Sequence, residues 1–237
     1  MSGILEINLS AVEFVELVRK SKYSCIFRTR WRGRECILKV YHRVEASNAD
    51  PTDRETDTFK CESNAYVRLK AYGLCDRGYV PDFYGLVKNI DPKKLFPHLK
   101  DFINDRFPPN AILLEYIPNL QKINLSTFSK GRVFRLRQIL TEIHRAGIYH
   151  GDPFPRNMMI QQESNRVLWI DFDRAQTFMH SLITTRQCQW LEEENELIDY
   201  FVDAIIADHK EGRIHRTWEY YYESIYQSVG REDTDNI

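Results

Sequence analysis

One segment in the C-terminal half restricts the possible folds of this chain more than any other. An apolar helical pattern ends at Gly147, and a polar, proline-rich loop follows, in which Asp152 and Asn157 are five positions apart. A tight pair of strand-like runs comes next and ends in the acidic pair Asp171 and Asp173. In phosphoryl transfer from ATP, one carboxylate orients the attacking hydroxyl, while an amide and another carboxylate hold magnesium. A plain polar loop with aspartate as a turn residue is the alternative, and it does not account for both elements at this spacing.

The first part of the chain has the pattern of a strand-rich region with one helix. Alternating runs at 25–31 and 35–41 flank Gly33, which is typical of a β-hairpin. Residues 57–71 then change to helical periodicity, and Gly73 ends that pattern. The residues that share the apolar face of this predicted helix are Phe59, Glu62, Tyr66 and Leu69.

Two more strands are expected at 83–87 and 111–117. The stretch between them, 91–110, is bounded by prolines, and we expect it to be a partly helical surface insertion. Proline and asparagine follow directly after the second strand, so a hinge is expected at 115–119.

The remainder of the chain is predicted to be mainly helical. Residues 131–148 carry an apolar stripe, and a tight hairpin joins 157–162 to 167–171. A helical apolar face runs through 198–205, and the aromatic-rich segment 218–226 lies near the end. Strands with one helix, followed by a helical half, indicate an α+β protein with two lobes and not alternating βαβ units.

The central motifs carry a resemblance to a known family. The loop HGDPFPRN (150–157) resembles the catalytic loop of protein-kinase-like phosphotransferases, and IDFD (170–173) resembles their magnesium-binding DFG-type element. The resemblance implies that Asp152 is the catalytic base, Asn157 the second metal ligand and Asp171 the principal magnesium ligand. It also implies ATP and Mg²⁺ as cofactors.

Two residues upstream match the phosphate-binding pair of the same family. Lys39 resembles the lysine of the third strand, and Glu62 resembles its helix partner. A lone lysine in a strand or a lone glutamate on a helix is usually a solvated surface residue. Here Lys39 lies inside an apolar run and Glu62 lies on an apolar helix face, where an unpaired charge would be costly.

The nucleotide contacts implied by the resemblance rest only on the positions of the residues in the chain. Leu114 matches the gatekeeper position, and Glu115 and Ile117 lie in the hinge that meets adenine, although a core strand entering a loop would look the same. The expected glycine-rich loop is missing, since residues 19–25 contain no glycine. We therefore expect Ser21 and Ser24, with Lys22, to approach the phosphates instead.

Further departures from the protein-kinase motifs indicate which groups within the family the chain resembles. The loop reads HGD where many protein kinases have HRD, so control by activation-loop phosphorylation is not expected. Asp173 replaces the DFG glycine, and no APE-like segment follows. HGD and DFD resemble aminoglycoside and choline kinases and small atypical protein kinases. The string 166–177 resembles kinase-like proteins of filamentous fungi.

The implied architecture is one kinase-like domain over residues 1–237. It has a strand-rich N-terminal lobe at about 1–117 and a shortened, mainly helical C-terminal lobe at about 118–230. The acidic residues 231–237 are expected to be a disordered tail.

Three functions compete. The first is an active phosphotransferase for a hydroxyl acceptor, with a small molecule favoured over a protein. The second is a nucleotide-binding pseudokinase that acts as an interaction module, which the missing glycines favour and the intact set of acidic and basic residues disfavours. The third is nucleic-acid binding through the arginine-rich segment 28–34, but a net charge of −1 and strand alternation favour a solvated strand face.

Composition and simple sequence patterns indicate the cellular location and the kinds of partner to expect. No apolar run approaches the ~20 residues that a membrane-spanning helix needs, and the N-terminus does not have the pattern of a secretory signal. The five cysteines are scattered, without a CxxC pair, which favours reduced thiols in a cytoplasmic or nuclear protein. We therefore expect a nucleotide and a hydroxyl-bearing partner, with neither nucleic acid nor membrane as a partner.

Overall fold

The computed structural model describes residues 7–45, 47 and 50–218 of the chain. The chain divides into two compact units. The first consists of Met1–Ile117 with Asp171–Thr177, and the second of Pro118–Ile170 with Phe178–Ile237. The segment Asp171–Thr177 thus belongs to the first unit although it follows most of the second unit in the chain. The predicted aromatic segment from 219 onward and the predicted tail 231–237 lie outside the described residues.

The first unit is built on a five-stranded antiparallel sheet. Its strands are β1 (Val12–Lys20), β2 (Ser24–Trp31), β3 (Arg34–Tyr41), β4 (Phe83–Val87) and β5 (Asn110–Glu115). Their order is β1-β2-β3-β5-β4. The β2–β3 hairpin turns through Arg32 and Gly33, which both have positive φ, the geometry of the two-residue turns that suit strand twist.

Strand β1 was not predicted from the sequence. Its register against β2 shifts twice, between Phe14 and Glu16 and between Leu17 and Arg19. Such bulges break the two-residue alternation that would otherwise mark a strand. The predicted strand 111–117 is also shorter than expected, because β5 ends at Glu115.

Helix α1 (Thr58–Ala71) lies between β3 and β4 in the chain. The Asp57 side chain accepts a hydrogen bond from the Lys60 amide and caps its N-terminus. At the other end, Gly73 has a φ of 72°, and the Leu74 amide donates to the Leu69 carbonyl. The four residues predicted to share the apolar face are all buried.

The insertion between β4 and β5 contains two short 3₁₀ helices, Pro92–Leu95 and Lys100–Phe102. The prediction of a partly helical segment is therefore confirmed, but its placement at the surface is partly wrong. Leu99 and Phe102 are buried in the hydrophobic core of the first unit, together with Ile90 just before the insertion. The polar residues around these apolar side chains concealed their burial in the sequence.

The second unit packs helices against a small sheet. The remaining elements of the chain are β6 (Leu120–Lys122), α2 (Lys130–Arg145), β7 (Ile148–Tyr149), β8 (Met158–Gln161), β9 (Arg166–Trp169), β10 (Gln176–Thr177, in the first unit) and α3 (Thr185–Glu211). Strands β6, β8 and β9 form an antiparallel sheet with β8 in the middle. The buried Trp169 indole donates to the Leu136 carbonyl and ties β9 to α2. The predicted apolar faces of α2 and α3 are buried.

The structure also describes the state of the cysteines and the character of the helices. All five cysteines are free thiols, and burial raises the pKa of Cys61 and of Cys75 to about 12, which keeps both protonated. Among the described residues, no helix combines the length and the apolar character needed to cross a membrane.

The end of α3 is held by one buried carboxylate. Asp208 accepts hydrogen bonds from the backbone amides of His215, Arg216 and Thr217, each at 2.9 Å, and from the Thr217 hydroxyl at 2.6 Å. Burial opposes ionisation of Asp208, but these hydrogen bonds outweigh it and lower its pKa to about 2. The carboxylate therefore fixes the turn that follows Gly212.

We expect Asp208→Asn to lower the free energy of unfolding by about 2 kcal/mol at pH 7, because the buried amides lose a charged acceptor. A group whose pKa is lowered on folding stabilises the protein above its ordinary pKa, and the contribution is lost as the pH falls through the folded value. The difference between wild type and variant should therefore be full above pH ~4 and should disappear towards pH 2. Urea unfolding across this range measures it. The exposed Asp203→Asn on the same helix is the control, and equal losses in both variants would contradict the prediction.

Candidate functional site

Three predicted site residues and one neighbouring aspartate form a charged cluster in the first unit. We call Lys39, Glu62, Asp171 and Asp173 the Lys39 cluster. The Lys39 ammonium lies 2.6 Å from Glu62 Oε2, 2.6 Å from Asp171 Oδ1 and 3.9 Å from Asp173 Oδ2. Lys39 and Glu62 are 5% and 1% exposed, so their charges are removed from bulk water. The structure thus brings together the lysine and the helix glutamate that the sequence paired, and it adds Asp171, the predicted magnesium ligand, to them.

Glu62 is held by three donors from different elements. Its Oε2 accepts from Lys39 on β3 and from the Tyr41 hydroxyl, also on β3, at 2.6 Å. Its Oε1 accepts from the Phe172 amide at 3.3 Å. A buried carboxylate is tolerated when its lone pairs are satisfied in this way. Tyr41 was not identified from the sequence, although it lies two residues after Lys39 and therefore on the same face of the strand.

The backbone at Asp171 is in a conformation that L-residues seldom adopt. Its φ is 66°, in the left-handed region, which costs about 1–3 kcal/mol for a non-glycine residue. The next residue, Phe172, is fully buried and makes an edge-to-face contact with Tyr66 of α1, with ring centroids 5.5 Å apart. This packing anchors the segment on the helix that carries Glu62. The Asp171 side chain is thereby held at the Lys39 ammonium.

The Lys39 cluster carries more negative than positive charge. Burial lowers the pKa of Lys39, but Asp171, Glu62 and Asp173 outweigh burial and raise it above its ordinary value, so the lysine is charged. Burial raises the pKa of Glu62, and Asp171 and Asp173 raise it further, while Lys39 opposes both effects. Three carboxylates around one ammonium favour the approach of an additional cation.

In the second unit, the predicted catalytic loop is compact and internally bonded. We call residues 150–157 the Asp152 loop. The side-chain nitrogen of Asn157, Nδ2, donates to Asp152 Oδ2 at 2.7 Å and to the Asp152 carbonyl at 2.9 Å. The Arg156 guanidinium donates to both carboxylate oxygens of Asp152, with Nε at 3.0 Å from Oδ2. Asp152 and Asn157 are 5% and 2% exposed, so the loop presents a shielded, oriented carboxylate.

A buried glutamate of α3 holds the start of the Asp152 loop. Glu194 accepts from the His150 amide at 3.0 Å, from the Gly151 amide at 2.8 Å and from His144 Nε2 at 2.6 Å. Gly151 has a φ of 78°, so this backbone turn suits glycine. Glu194 was not identified from the sequence. Its position one turn before the buried Ile198 is the same pattern, a charge on an apolar helix face, that identified Glu62.

The predicted hinge residues lie at the end of β5. Leu114 is opposite Ile37 of β3 and Phe83 of β4, and it is buried. The Glu115 side chain accepts from the Asp82 amide at 3.0 Å. Ile117 lies two residues beyond the strand and is also buried, at the boundary of the two units.

The turn that replaces the glycine-rich loop uses its polar groups internally. The Ser21 hydroxyl accepts from the amides of Tyr23 and Ser24, at 3.2 Å and 3.0 Å. The Ser21 amide donates to the Ser24 carbonyl, and Ser24 is buried. The two serines predicted to approach the phosphates are thus engaged with each other.

The arginine-rich segment has ionic partners on neighbouring strands. Arg28 pairs with Glu16 and Glu35, and Arg30 pairs with Glu13. These ion pairs place the charges of both arginines beside carboxylates of the same sheet.

Comparisons with known proteins gave a match to part of the sequence and a match to the fold. A search of curated proteins by sequence found no significant match. Residues 126–190, about a quarter of the chain, match the model of the lipopolysaccharide kinase (Kdo/WaaP) family. This match contains Asp152, Asn157 and Asp171. Among solved structures, the kinase PK-1 of Cydia pomonella granulovirus is similar in fold, with a TM-score of 0.50 and 13% identity over 83% of this chain and 71% of the viral chain.

The chain has a protein-kinase-like fold. The α+β fold that the sequence predicted, with a sheet-rich N-terminal region and a helical C-terminal part, is confirmed. The family match places the Asp152 loop within a kinase family model, but it ends before Glu194.

We expect Glu194→Gln to loosen the Asp152 loop, because an amide cannot accept hydrogen bonds through both of its terminal atoms. Amide exchange at His150 and Gly151, measured by hydrogen–deuterium exchange, should accelerate at least tenfold, which corresponds to about 1.4 kcal/mol. The matched control is Glu193→Gln, since Glu193 is exposed on the same helix. Unchanged protection of the two amides in Glu194→Gln would refute the anchoring role.

Proposed function

We propose that the chain is an ATP- and magnesium-dependent phosphotransferase that transfers the γ-phosphoryl group to a hydroxyl acceptor. The observation that carries this proposal is the buried Lys39 ammonium held by Glu62 and Asp171. A solvated lysine would not need two carboxylates, whereas a lysine that binds phosphate has to be held charged and in a fixed position.

The donor atoms fit magnesium. Asp171 and Asp173 offer carboxylate oxygens near a cluster with surplus negative charge. Asn157 donates to Asp152 through its nitrogen, which leaves its side-chain oxygen as the ligand atom. Oxygen ligands of this kind suit Mg²⁺, which would neutralise charge on the phosphates. In this proposal Asp171 and Asn157 are the metal ligands, Lys39 binds the α- and β-phosphates, and Leu114, Glu115 and Ile117 face the adenine.

Asp152 is proposed as the base that orients the acceptor hydroxyl. Its carboxylate is kept in place by Asn157 and Arg156, and the loop backbone is held by Glu194. A carboxylate held in this way can accept the hydroxyl proton as the oxygen attacks phosphorus.

A small hydroxyl-bearing molecule is favoured over a protein as acceptor. The HGD and DFD motifs and the missing APE-like segment support this choice. The family model that matches residues 126–190 is that of lipopolysaccharide kinases, which also supports a non-protein acceptor. We further propose a cytoplasmic or nuclear location, which the five free thiols support.

One observation favours the alternative of a nucleotide-binding pseudokinase that acts as an interaction module. The turn at Ser21–Ser24 contains no glycine, and the amides of Tyr23 and Ser24 already donate to the Ser21 hydroxyl. Backbone amides of this turn would otherwise be donors to phosphate. The alternative therefore predicts nucleotide binding without turnover.

We expect Asp171→Ala to weaken magnesium-dependent nucleotide binding and to leave the fold intact, because Lys39 keeps Glu62 as a partner. Thermal-shift titrations with ATP and ADP, each with and without Mg²⁺, measure this. The magnesium-dependent part of the stabilisation should fall by at least half in Asp171→Ala and should be unchanged in the exposed control Asp203→Ala. Equal Mg-ATP shifts in Asp171→Ala and wild type would rule out the metal assignment.

We expect Asp152→Asn to separate the enzyme from the pseudokinase. The substitution keeps the shape of the side chain but removes its basicity, so Mg-ATP binding should stay within about twofold while turnover falls by roughly 100-fold or more. ATP consumption is measured with water first, then with a panel of hydroxyl-bearing small molecules and with protein extracts. If wild type binds Mg-ATP but shows no turnover above Asp152→Asn with any acceptor, the active-enzyme proposal fails and the pseudokinase takes its place.

A further inference from the structure

The buried hydroxyl of Tyr41 contacts the Lys39 cluster but has no part in the proposed mechanism. Tyr41 lies on β3 and is 1% exposed. Its hydroxyl donates to Glu62 Oε2 at 2.6 Å, and its ring makes an edge-to-face contact with Phe59, with ring centroids 5.6 Å apart. Glu62 and Phe59 are three residues apart and lie on one face of α1. Tyr41 thus joins β3 to α1 at two points within the first unit.

Tyr41 acts as a hydrogen-bond donor. Burial and the nearby Glu62 carboxylate raise the pKa of its phenol well above the ordinary value, so the proton stays on the oxygen. A phenol has one proton to donate. That proton is directed at Glu62, whose charge makes the hydrogen bond stronger than one between neutral groups. Tyr41 therefore attaches a charged residue of α1 to the strand without adding a charge of its own.

The proposed function places competing demands on Lys39. Its ammonium is shared between Glu62 and Asp171, at 2.6 Å from each. To bind phosphate, Lys39 has to turn towards the nucleotide, and Asp171 has to release it in order to hold magnesium. Glu62 Oε2 accepts from both Lys39 and Tyr41. This oxygen therefore keeps one donor on β3 when the ammonium moves.

We propose that Tyr41 is a positioning residue that holds Glu62, and with it α1, beside Lys39 whether or not nucleotide is bound. The inference rests on the proposed function, because it assumes that Lys39 binds phosphate. Tyr41 acts through Glu62 and does not itself contact the nucleotide. Since the helix is in place before the nucleotide arrives, none of the binding free energy is used to order it.

The test uses the Tyr41→Phe variant of the full chain, which keeps the ring contact with Phe59 and removes the hydroxyl. Hydrogen–deuterium exchange of α1 is measured without nucleotide and with Mg-ADP. In wild type we expect α1 to be equally protected in both conditions. In Tyr41→Phe, α1 should exchange roughly tenfold faster without nucleotide, and Mg-ADP should restore part of the protection. Mg-ADP affinity, measured by isothermal titration calorimetry, should fall about three- to tenfold, because fewer molecules have the helix in place.

Tyr66→Phe is the matched control. It is the same substitution at a second fully buried tyrosine, on α1 itself, where the ring makes the contacts with Phe83 and Phe172. Because the ring is kept, α1 exchange and Mg-ADP affinity should both stay within about twofold of wild type.

A second comparison separates the hydrogen bond from packing. In a Glu62→Ala background, Tyr41→Phe should change α1 exchange by less than about twofold, because the hydroxyl has already lost its acceptor. A role in packing alone would give the same change in both backgrounds and would overturn the inference. If Glu62→Ala does not fold, the comparison of Tyr41→Phe with Tyr66→Phe carries the test.

The remaining outcomes distinguish failure of this inference from failure of the proposed function. Unchanged α1 exchange in Tyr41→Phe would overturn the role of Tyr41 and leave the proposed function standing. Equal acceleration of amides throughout the first unit would also overturn it, since the hydroxyl would then contribute only to global stability. If wild type does not bind Mg-ADP, the proposed function fails together with the nucleotide part of the inference. Exchange without nucleotide then still decides whether Tyr41 holds α1.

Discussion

The first unit depends on one buried ammonium group. Lys39 is almost completely removed from water, and its charge is tolerated because Glu62 and Asp171 lie 2.6 Å away. Removing the fully buried partner Glu62 breaks the buried pair, which typically costs about 3–5 kcal/mol, whereas Asp171 is about one-third exposed and its loss leaves Glu62 beside the ammonium. The positions of β3, of α1 and of the segment that follows β9 are therefore coupled through this one group.

The second unit also contains a buried charge, a carboxylate that accepts hydrogen bonds from backbone amides. Glu194 satisfies two amides at the start of the Asp152 loop and bonds to His144 on α2. A loop of irregular backbone has no ladder partners of its own, so a buried acceptor from a neighbouring helix supplies them. In both units a glutamate on an apolar helix face thus holds a segment that carries an aspartate of the proposed site, the metal ligand Asp171 in the first unit and the base Asp152 in the second.

Much of the fold followed from local patterns. The hairpin around Gly33, the face of α1 from Phe59 to Leu69 and the apolar stripes of α2 and α3 were predicted because periodicity and turn chemistry act within a few residues. Strand β1 escaped prediction because two bulges interrupt its alternation. The burial of Leu99 and Phe102 escaped it because proline-rich, charged neighbours surround both residues in the sequence.

The sequence by itself determined which chemical groups are present and their spacing within each motif, so it identified Lys39, Glu62, Asp152, Asn157 and Asp171 as candidates. Only the tertiary structure decided which of these groups meet. Lys39 and Asp171 are 132 positions apart, and their contact depends on the packing of Phe172 against α1. The same holds for Glu194, which is 44 positions from His150. Charges and hydrogen bonds act over a few ångströms, and distance in space is set by packing, which a linear pattern does not contain.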